Sequence, residues 1–581
     1  NLAEVDGAEG RANAGSDFIT AEYGTNFVAG DALTWGEETT AQANNTAEAD
    51  GAEGFAGAGN DEIELYDTSY DKVAGDALTY GGGSLAETNN SATAAGMSTE
   101  AKAGNDYIDL NDAYASAVAG ESLATGYGSS ADVENTSTAS GYGSAYAGSD
   151  QIDTGYGSDT VSGGALAYGD DSEAVITNAA TASDFSAAVA GSDDIDTGNG
   201  DDKVAGDALA DGFDSTATSN NEATSYGNGY AEAGGDYIDP GAGNDLVSGD
   251  AMTIGEDSGE ATANNTATVN GAGVAEAGSD VIQDYYGDDT IAGDALTVAD
   301  HVDARADNDA IVTTEGGYAY AGDDVIYSGY GGDPETYKVA GESVTLGDYA
   351  QAVAENGTHG AGSSAGNDYI LAGDSAGEGE YVDDCWVPAA QIAGESLALG
   401  DYGEAHATNM VYGDDVNNDG DERAGNDTIT AGDGGFTIAG DVLATGYKGG
   451  AFVNNNTSAT ATTLAAMVGS DEITSGAGND LISGDAMATN GGHAKVTTDG
   501  DTGADFTGSS DTISSGDGND TIAGDALAIG AGGLAEINGA GDDEIDGGDG
   551  DDLIAGDALG LCDAETLVTD DEDVGFDTIY G

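Results

Sequence analysis

The sequence predicts an all-β protein, a parallel right-handed β-solenoid of about 13 coils running through residues 1–581 as a single continuous array. Three observations lead there: a phrase that returns about every 44 residues, apolar triplets too short for helices, and glycine turns at intervals of about nine. At 581 residues the chain exceeds one ordinary compact core, so either several domains or a repeat array is expected, and the repetition selects the array.

The clearest phrase is "GNDTIAGDAL" (Gly518 to Leu527), with near-copies "GNDLVSGDAM" (Gly243 to Met252), "GDDTIAGDAL" (Gly287 to Leu296), "GNDLISGDAM" (Gly478 to Met487) and "GDDLIAGDAL" (Gly550 to Leu559). A second phrase marks the start of each unit: "AGSDFI" (Ala14 to Ile19), "AGNDYI" (Ala103 to Ile108), "AGSDQI" (Ala147 to Ile152), "AGSDVI" (Ala277 to Ile282) and "AGNDTI" (Ala424 to Ile429). Its aspartate falls at Asp17, Asp61, Asp106, Asp150, Asp193, Asp236, Asp280, Asp324, Asp368, Asp427, Asp471, Asp511, Asp543 and Asp577. The steps are 44, 45, 44, 43, 43, 44, 44, 44, 59, 44, 40, 32 and 34 residues.

Within a unit the apolar residues come as β-branched triplets such as Thr290-Ile291-Ala292, bracketed by Gly and Asp. No amphipathic helix fits that spacing; short strands joined by glycine turns do, and equivalent strands of successive units then stack in parallel. The second half of each unit is small and polar, as in "GEATANNTATVNGAGVAEA" (Gly259 to Ala277), which suits flat stacked coils better than propeller blades. One asparagine recurs there per unit, at Asn45, Asn90, Asn135, Asn178, Asn221, Asn265 and Asn308. Either these side chains form an amide ladder along the stack or they mark a surface turn.

Nine Lys plus Arg stand against 111 Asp plus Glu, a formal charge of −102 spread along the whole chain. Nucleic acid and anionic membranes are therefore excluded as partners, and cations are expected. No run of about 20 apolar residues is present, so membrane insertion is not expected. The chain starts at Asn1 without a basic or apolar leader, which predicts a processed mature protein. Cys385 and Cys562 match neither a disulfide framework nor a zinc spacing; they are two separate small hydrophobes or one bridge.

In seven units the marker aspartate is followed nine residues later by another: Asp150 and Asp159, Asp193 and Asp202, Asp236 and Asp245, Asp280 and Asp289, Asp471 and Asp480, Asp511 and Asp520, Asp543 and Asp552. The text around the second reads Gly-x-Gly-Asn/Asp/Ser-Asp-x-Ile/Val, as in "GAGNDLI" (Gly476 to Ile482) and "GDGNDTI" (Gly516 to Ile522). Glycines allow the turn and direct carbonyl oxygens inward, the aspartate adds a carboxylate, and the apolar residue starts the next strand. This pattern resembles the hemolysin-type calcium-binding (RTX) nonapeptide, Gly-Gly-x-Gly-x-Asp-x-apolar-x. The resemblance implies a β-roll or β-helix that binds multiple calcium ions through these fourteen aspartates and folds in their presence.

The departures are specific. Units at Asp17, Asp61 and Asp106 replace the second motif with "AEYGTNF", "LYDTSYDK" and "LNDAYASA", and a unit of about 44 residues is wider than a family coil. The expectation is RTX-like turns in a broader solenoid. The aspartates of "AGDAL" (Asp31, Asp76, Asp207, Asp250, Asp294, Asp441, Asp485, Asp525, Asp557) form a third column, either metal ligands or turn caps. "AGESL" at Ala119 and Ala393 exchanges Asp for Glu, and the fourth unit has Gly164 at this position.

Catalysis is not expected. His301, His359, His406 and His493 fall at unrelated phases and read as solvated, and paired carboxylates that make the repeat carry no glycosidase signal. The 59-residue unit breaks the pattern with a predicted loop insertion at 373–391, containing "GEYVDDCWVPAAQ" (Gly379 to Gln391), which suits a contact patch. Sequons stand at Asn44, Asn89, Asn135, Asn264, Asn356 and Asn455.

"AEVDGAEGRANAGSD" (Ala3 to Asp17) copies the late half of a unit, and "GFDTIYG" (Gly575 to Gly581) copies an early part. Complementary uncapped phases predict head-to-tail stacking of the chain on itself into a filament, with an axial repeat of roughly 60 Å at ~4.8 Å per coil. The expected function is an extracellular or cell-surface calcium-binding structural protein, forming a fibre, surface layer or matrix. The alternative is a calcium-dependent adhesin, part of a larger secreted protein, that holds surface glycans through exposed tyrosine columns and the loop. An ice-binding solenoid needs a flat threonine array, and a polysaccharide lyase or epimerase needs basic residues that are nearly absent.

Overall fold

The computed structural model describes residues 2–6, 11–36, 38–50, 55–68, 71–95, 99–113, 116–183, 187–255, 259–313, 318–328, 338–359, 363–375, 379–382, 385–413, 422–459, 465–500, 505–508, 510–538, 541–568 and 576–580. They are strands and turns with no helix, and hence no helix long and apolar enough to cross a membrane. The chain divides into two compact units, residues 1–283 with 308–319 and residues 284–307 with 320–581. Both are parallel β-solenoids.

In the first unit one coil runs through five strands, Gln151–Gly155, Thr160–Ser162, Ala165–Tyr168, Glu173–Ala182 and Ala187–Ala190, before Asp194–Asp196 starts the next. Each strand pairs in parallel with its equivalent one coil away, so identical residues stack in register. Ile152 pairs with Ile195 and Ile195 with Ile238; Val161 pairs with Val204 and Val204 with Val247. These side chains are fully buried, which is why the β-branched triplets recur at one phase.

The small polar half of the unit is its longest strand. Thr216–Tyr226 alternates strictly, with Ala217, Ser219, Asn221, Ala223 and Ser225 buried and the intervening side chains more exposed. Alanine, serine and asparagine face inward because coils this flat leave little depth beneath the sheet, and small side chains fill it without voids. This strand stacks through Asn178, Asn221 and Asn265 in register.

The second unit repeats the plan with Glu472–Thr474, Leu481–Ser483, Ala486–Ala488, His493–Gly500 and Asp505–Gly508. The 32-residue step that follows is explained by subtraction. After Leu534–Asn538 the described residues hold no fifth strand before Glu544–Asp546, so the shortened unit closes on four sides, with an added short strand at Asp517–Gly518.

The predicted insertion is a hairpin, Gly379–Val382 antiparallel to Cys385–Pro388, with Tyr381 opposite Trp386. Residues 376–378 and 383–384 of the 373–391 segment, and the Cys385 side chain, lie outside the described residues. Cys562 is disulfide-bonded. Pro388 ends the hairpin against the next coil, where its carbonyl accepts a 3.1 Å hydrogen bond from Thr437 Oγ1.

His301 and His359 are exposed, while His406 and His493 flank the Phe452 ring on the outer face. Three sequons are closed to modification in the fold: Asn135, Asn356 and Asn455 are buried.

Candidate metal columns

The marker aspartate is held by the stack itself. From Asp17 to Asp471 the glycine two residues before it turns with positive φ, as at Gly191 (φ 55), where an added Cβ would collide with the Asn221 amide. The carboxylate then reaches along the axis: Asp193 Oδ1 accepts the Asp150 N–H at 2.6 Å, Asp236 Oδ1 the Asp193 N–H at 2.6 Å, and Asp511 Oδ1 the Asp471 N–H at 2.8 Å. Asp280 and Asp543 repeat this toward Asp236 and Asp511, at 2.6 and 2.9 Å.

The second oxygen of this column differs. At Asp61, Asp106, Asp150, Asp471, Asp511 and Asp543, Oδ2 is buried and no donor reaches it. It faces the glycine of the "AGD" motif. A Cβ on Gly75 would collide with Asp106 Oδ2 and with the Gly120 carbonyl oxygen, and one on Gly484 with Asp511 Oδ2 and the Gly524 carbonyl. Glycine is needed there because two oxygens converge over its bare Cα.

The third column lies beside this cradle. Asp76, Asp207, Asp250, Asp441, Asp485 and Asp525 are fully buried, as are Glu121, Glu342 and Glu395 at the same register. Their neutral partners are the asparagines: Asn90 Nδ2 donates to Asp76 at 2.7 Å, Asn265 to Asp250 at 2.7 Å, and Asn409 to Glu395 at 2.6 Å. The asparagines also bond to each other, Asn135 to Asn178 at 3.0 Å, Asn178 to Asn221 at 3.1 Å, Asn221 to Asn265 at 3.0 Å and Asn356 to Asn409 at 3.0 Å. The amide ladder is thus present inside the solenoid.

Marker and third-column carboxylates meet. Asp31, Asp61 and Asp76 bring ligand oxygens within 4.8 Å of one another, and Asp207, Asp236 and Asp250 do the same in the first unit, as do Asp294, Asp324 and Glu342 in the second. Burial, reinforced by neighbouring carboxylates, pushes Asp61 up to about 9 and Asp76 up to about 7. Burial also holds Asp150, Asp193, Asp471 and Asp511 well above the ordinary carboxylate range, and Asp543 at about 8.

The aspartates nine residues downstream occupy another turn, beyond the strand that follows the marker. Backbone and hydroxyl donors reach one side of this column, and Asp245, Asp284 and Asp289 bring carboxylate oxygens within 4.8 Å of one another, a further group able to hold a cation. Asp202 accepts the Asp159 N–H at 2.7 Å and the Thr197 hydroxyl at 2.9 Å; Asp480 accepts the Phe436 N–H at 2.9 Å and the Ser475 hydroxyl at 2.8 Å; Asp159 accepts the Thr154 hydroxyl at 3.0 Å. Asp245, Asp520 and Asp552 accept the N–H groups of Asp202, Asp480 and Asp520 at 2.7, 2.9 and 3.1 Å, and Asp289 is buried at the same phase. The hydroxyl five residues before Asp159, Asp202 and Asp480 (Thr154, Thr197 and Ser475) is a partner that spacing alone does not single out.

The donor set is all oxygen, from carboxylates and glycyl carbonyls, with buried atoms that lack a partner and a cradle that a Cβ would fill. It fits a hard divalent cation such as calcium. The family model for the RTX calcium-binding nonapeptide repeat matches residues 144–166, 230–251, 274–295, 457–486, 507–526 and 539–558. No curated protein and no solved structure matches the chain. The chain therefore carries RTX calcium-binding repeats, set in the coils of a wider parallel β-solenoid.

Proposed function

We propose that this is an extracellular calcium-binding structural protein, without enzymatic activity, whose coils stack end to end between copies into a fibre, surface layer or matrix. The carrying observation is the burial of carboxylates in axial columns with neutral amides as their main partners, in a chain of formal charge −102. Such an interior is compatible with a folded state once cations or protons neutralise it, and millimolar extracellular calcium supplies the former. RTX-repeat proteins are typically secreted, which agrees with that compartment.

The partner in assembly is a second copy. Strand Leu2–Asp6 is paired on one side by Thr40–Asp50, and strand Thr578–Tyr580 on one side by Glu544–Asp546. Near these edges Leu33 and Ile579 are exposed, whereas Leu78 and Ile545, their equivalents one coil in, are covered. Adding a copy extends the ladders and covers these side chains. Electron microscopy of the native protein tests this. Fibres in millimolar calcium that disassemble on chelation are expected, and discrete particles in both conditions would refute assembly.

One observation favours a second reading, a calcium-dependent adhesin. On the outer face of the second unit His301, Tyr349 and Tyr402 stack at centroid distances of 5.1 and 4.9 Å, and Tyr447 continues the row. An exposed aromatic strip is a surface on which a glycan ring can lie. Retention on glycan arrays that is lost with Tyr349→Ala and Tyr402→Ala would establish this reading.

A further inference from the structure

We propose that calcium ions occupy an interior column in which each site joins one marker aspartate to two successive third-column carboxylates, in addition to ions held in the turns of the aspartates nine residues downstream. The inference rests on the calcium-binding reading and assigns its ligands. Asp61 illustrates the site. It is 2% exposed, its Oδ1 accepts the Asp17 N–H at 2.5 Å, and its Oδ2 has no donor. That oxygen is aimed at the bare face of Gly30, beside the Gly75 carbonyl, where a Cβ would collide with both.

Asp31 from one coil and Asp76 from the next complete the triad, with ligand oxygens mutually within 4.8 Å. Calcium binds oxygen at about 2.3 to 2.6 Å, so oxygens up to roughly 5 Å apart can share one ion. Asn90 donates to Asp76 and fixes its carboxylate, but an amide adds no charge. Magnesium is disfavoured because it keeps several waters and demands regular octahedral geometry, and this site is walled by backbone; zinc lacks its nitrogen and sulfur ligands.

The same column explains an irregularity. Where the fourth unit has Gly164, the place of the missing carboxylate is filled by Ile176, whose Cδ1 an added Cβ would strike. The Oε2 of Glu121 comes within 3.0 Å of that Cβ position from the preceding coil. In the next coil, the position of Ile176 is held by Ser219, which donates to Asp207 at 2.8 Å. Gly164 is therefore a designed interruption: the triads on either side of it lack one carboxylate each, and a hydrophobic plug replaces an ion.

The test counts calcium bound per chain by equilibrium dialysis and elemental analysis, using the metal-stripped full chain reloaded with calcium alone. Asp76→Asn, which preserves shape, should lower the count by one to two ions, because Asp76 borders two sites. Gly164→Asp combined with Ile176→Ser should raise it by one to two, a gain that misfolding would not produce. A count unchanged both by Asp76→Asn and by the Gly164→Asp, Ile176→Ser pair would overturn the assignment while leaving the calcium-binding reading intact. A wild-type chain that takes up no calcium would overturn both.

Discussion

Replacing Asn221 with leucine removes the side chain that ties three coils together. Its Nδ2, with two hydrogens to give, lies within hydrogen-bond reach of Asp207 at 2.6 Å, Asn265 at 3.0 Å and Asp250 at 3.1 Å, and its Oδ1 accepts from Asn178 at 3.1 Å. Leucine has nearly the same shape, so the loss is chiefly of hydrogen bonding: two donated bonds and one accepted bond, all buried. At about 1 kcal/mol for each, near the low end for a buried group, the cost is about 3 kcal/mol. In a stacked array each coil contacts its neighbours, so the loss is expected to stay local. Hydrogen exchange reads it directly. Amides of Glu173–Ala182, Thr216–Tyr226 and Gly259–Asn270 should exchange about a hundredfold faster, since about 1.4 kcal/mol is tenfold. The exposed neighbour Glu222 provides the control, and Glu222→Ala should leave those rates nearly unchanged. Rates in Asn221→Leu within about threefold of wild type would refute the view that the amide ladder braces the carboxylate column.

Without metal, stability should fall as pH rises. Asp159, Asp76 and Asp61 are raised by burial to about 6, 7 and 9, above the ordinary 3.8, so the folded chain binds these protons more tightly than the unfolded chain does. Their contribution is complete below about pH 4 and is lost as pH rises through 6 to 9; melting in chelator at pH 5, 7 and 9 should show a declining midpoint, and a rising one would contradict this. Gly75→Ala drives a Cβ into Asp106 Oδ2 and the Gly120 carbonyl and should cost at least about 2 kcal/mol locally, read by exchange in the adjoining coils. Thr197→Val deprives Asp202 of its 2.9 Å hydroxyl bond and should cost about 1 to 2 kcal/mol, less than Asn221→Leu, read by exchange in the adjoining coils.

The solenoid was legible because its marks are local. A β-branched residue two positions after each marker aspartate must stack on its equivalent, so Ile152, Ile195 and Ile238 announced both strand and period. The asparagine column was legible for the same reason. The pairing of carboxylates was harder to read, because nine residues along the chain leads to a different turn, whereas closure of the coil returns Asp76 to Asp61 and Asp250 to Asp236. One trace was present: Asn90 follows Asp76, Asn135 follows Glu121 and Asn409 follows Glu395 by the same 14 residues, the offset of a hydrogen bond across the coil. The long strand escaped notice because alanine alternating with threonine carries little hydrophobic contrast. The insertion at Gly379 was expected as a loop, and its hairpin pairing of Tyr381 with Trp386 has no repeat to advertise it.

Far-ultraviolet circular dichroism of the metal-stripped full chain at pH 7, titrated with calcium and then with chelator, tests the coupling of cation and fold most directly. Buried columns of carboxylates predict a strand signal that is weak without metal, grows cooperatively with calcium and is lost again on chelation. A full strand spectrum with an unchanged melting midpoint in excess chelator would contradict the account, because the interior would then be stable without the cations it is built to hold.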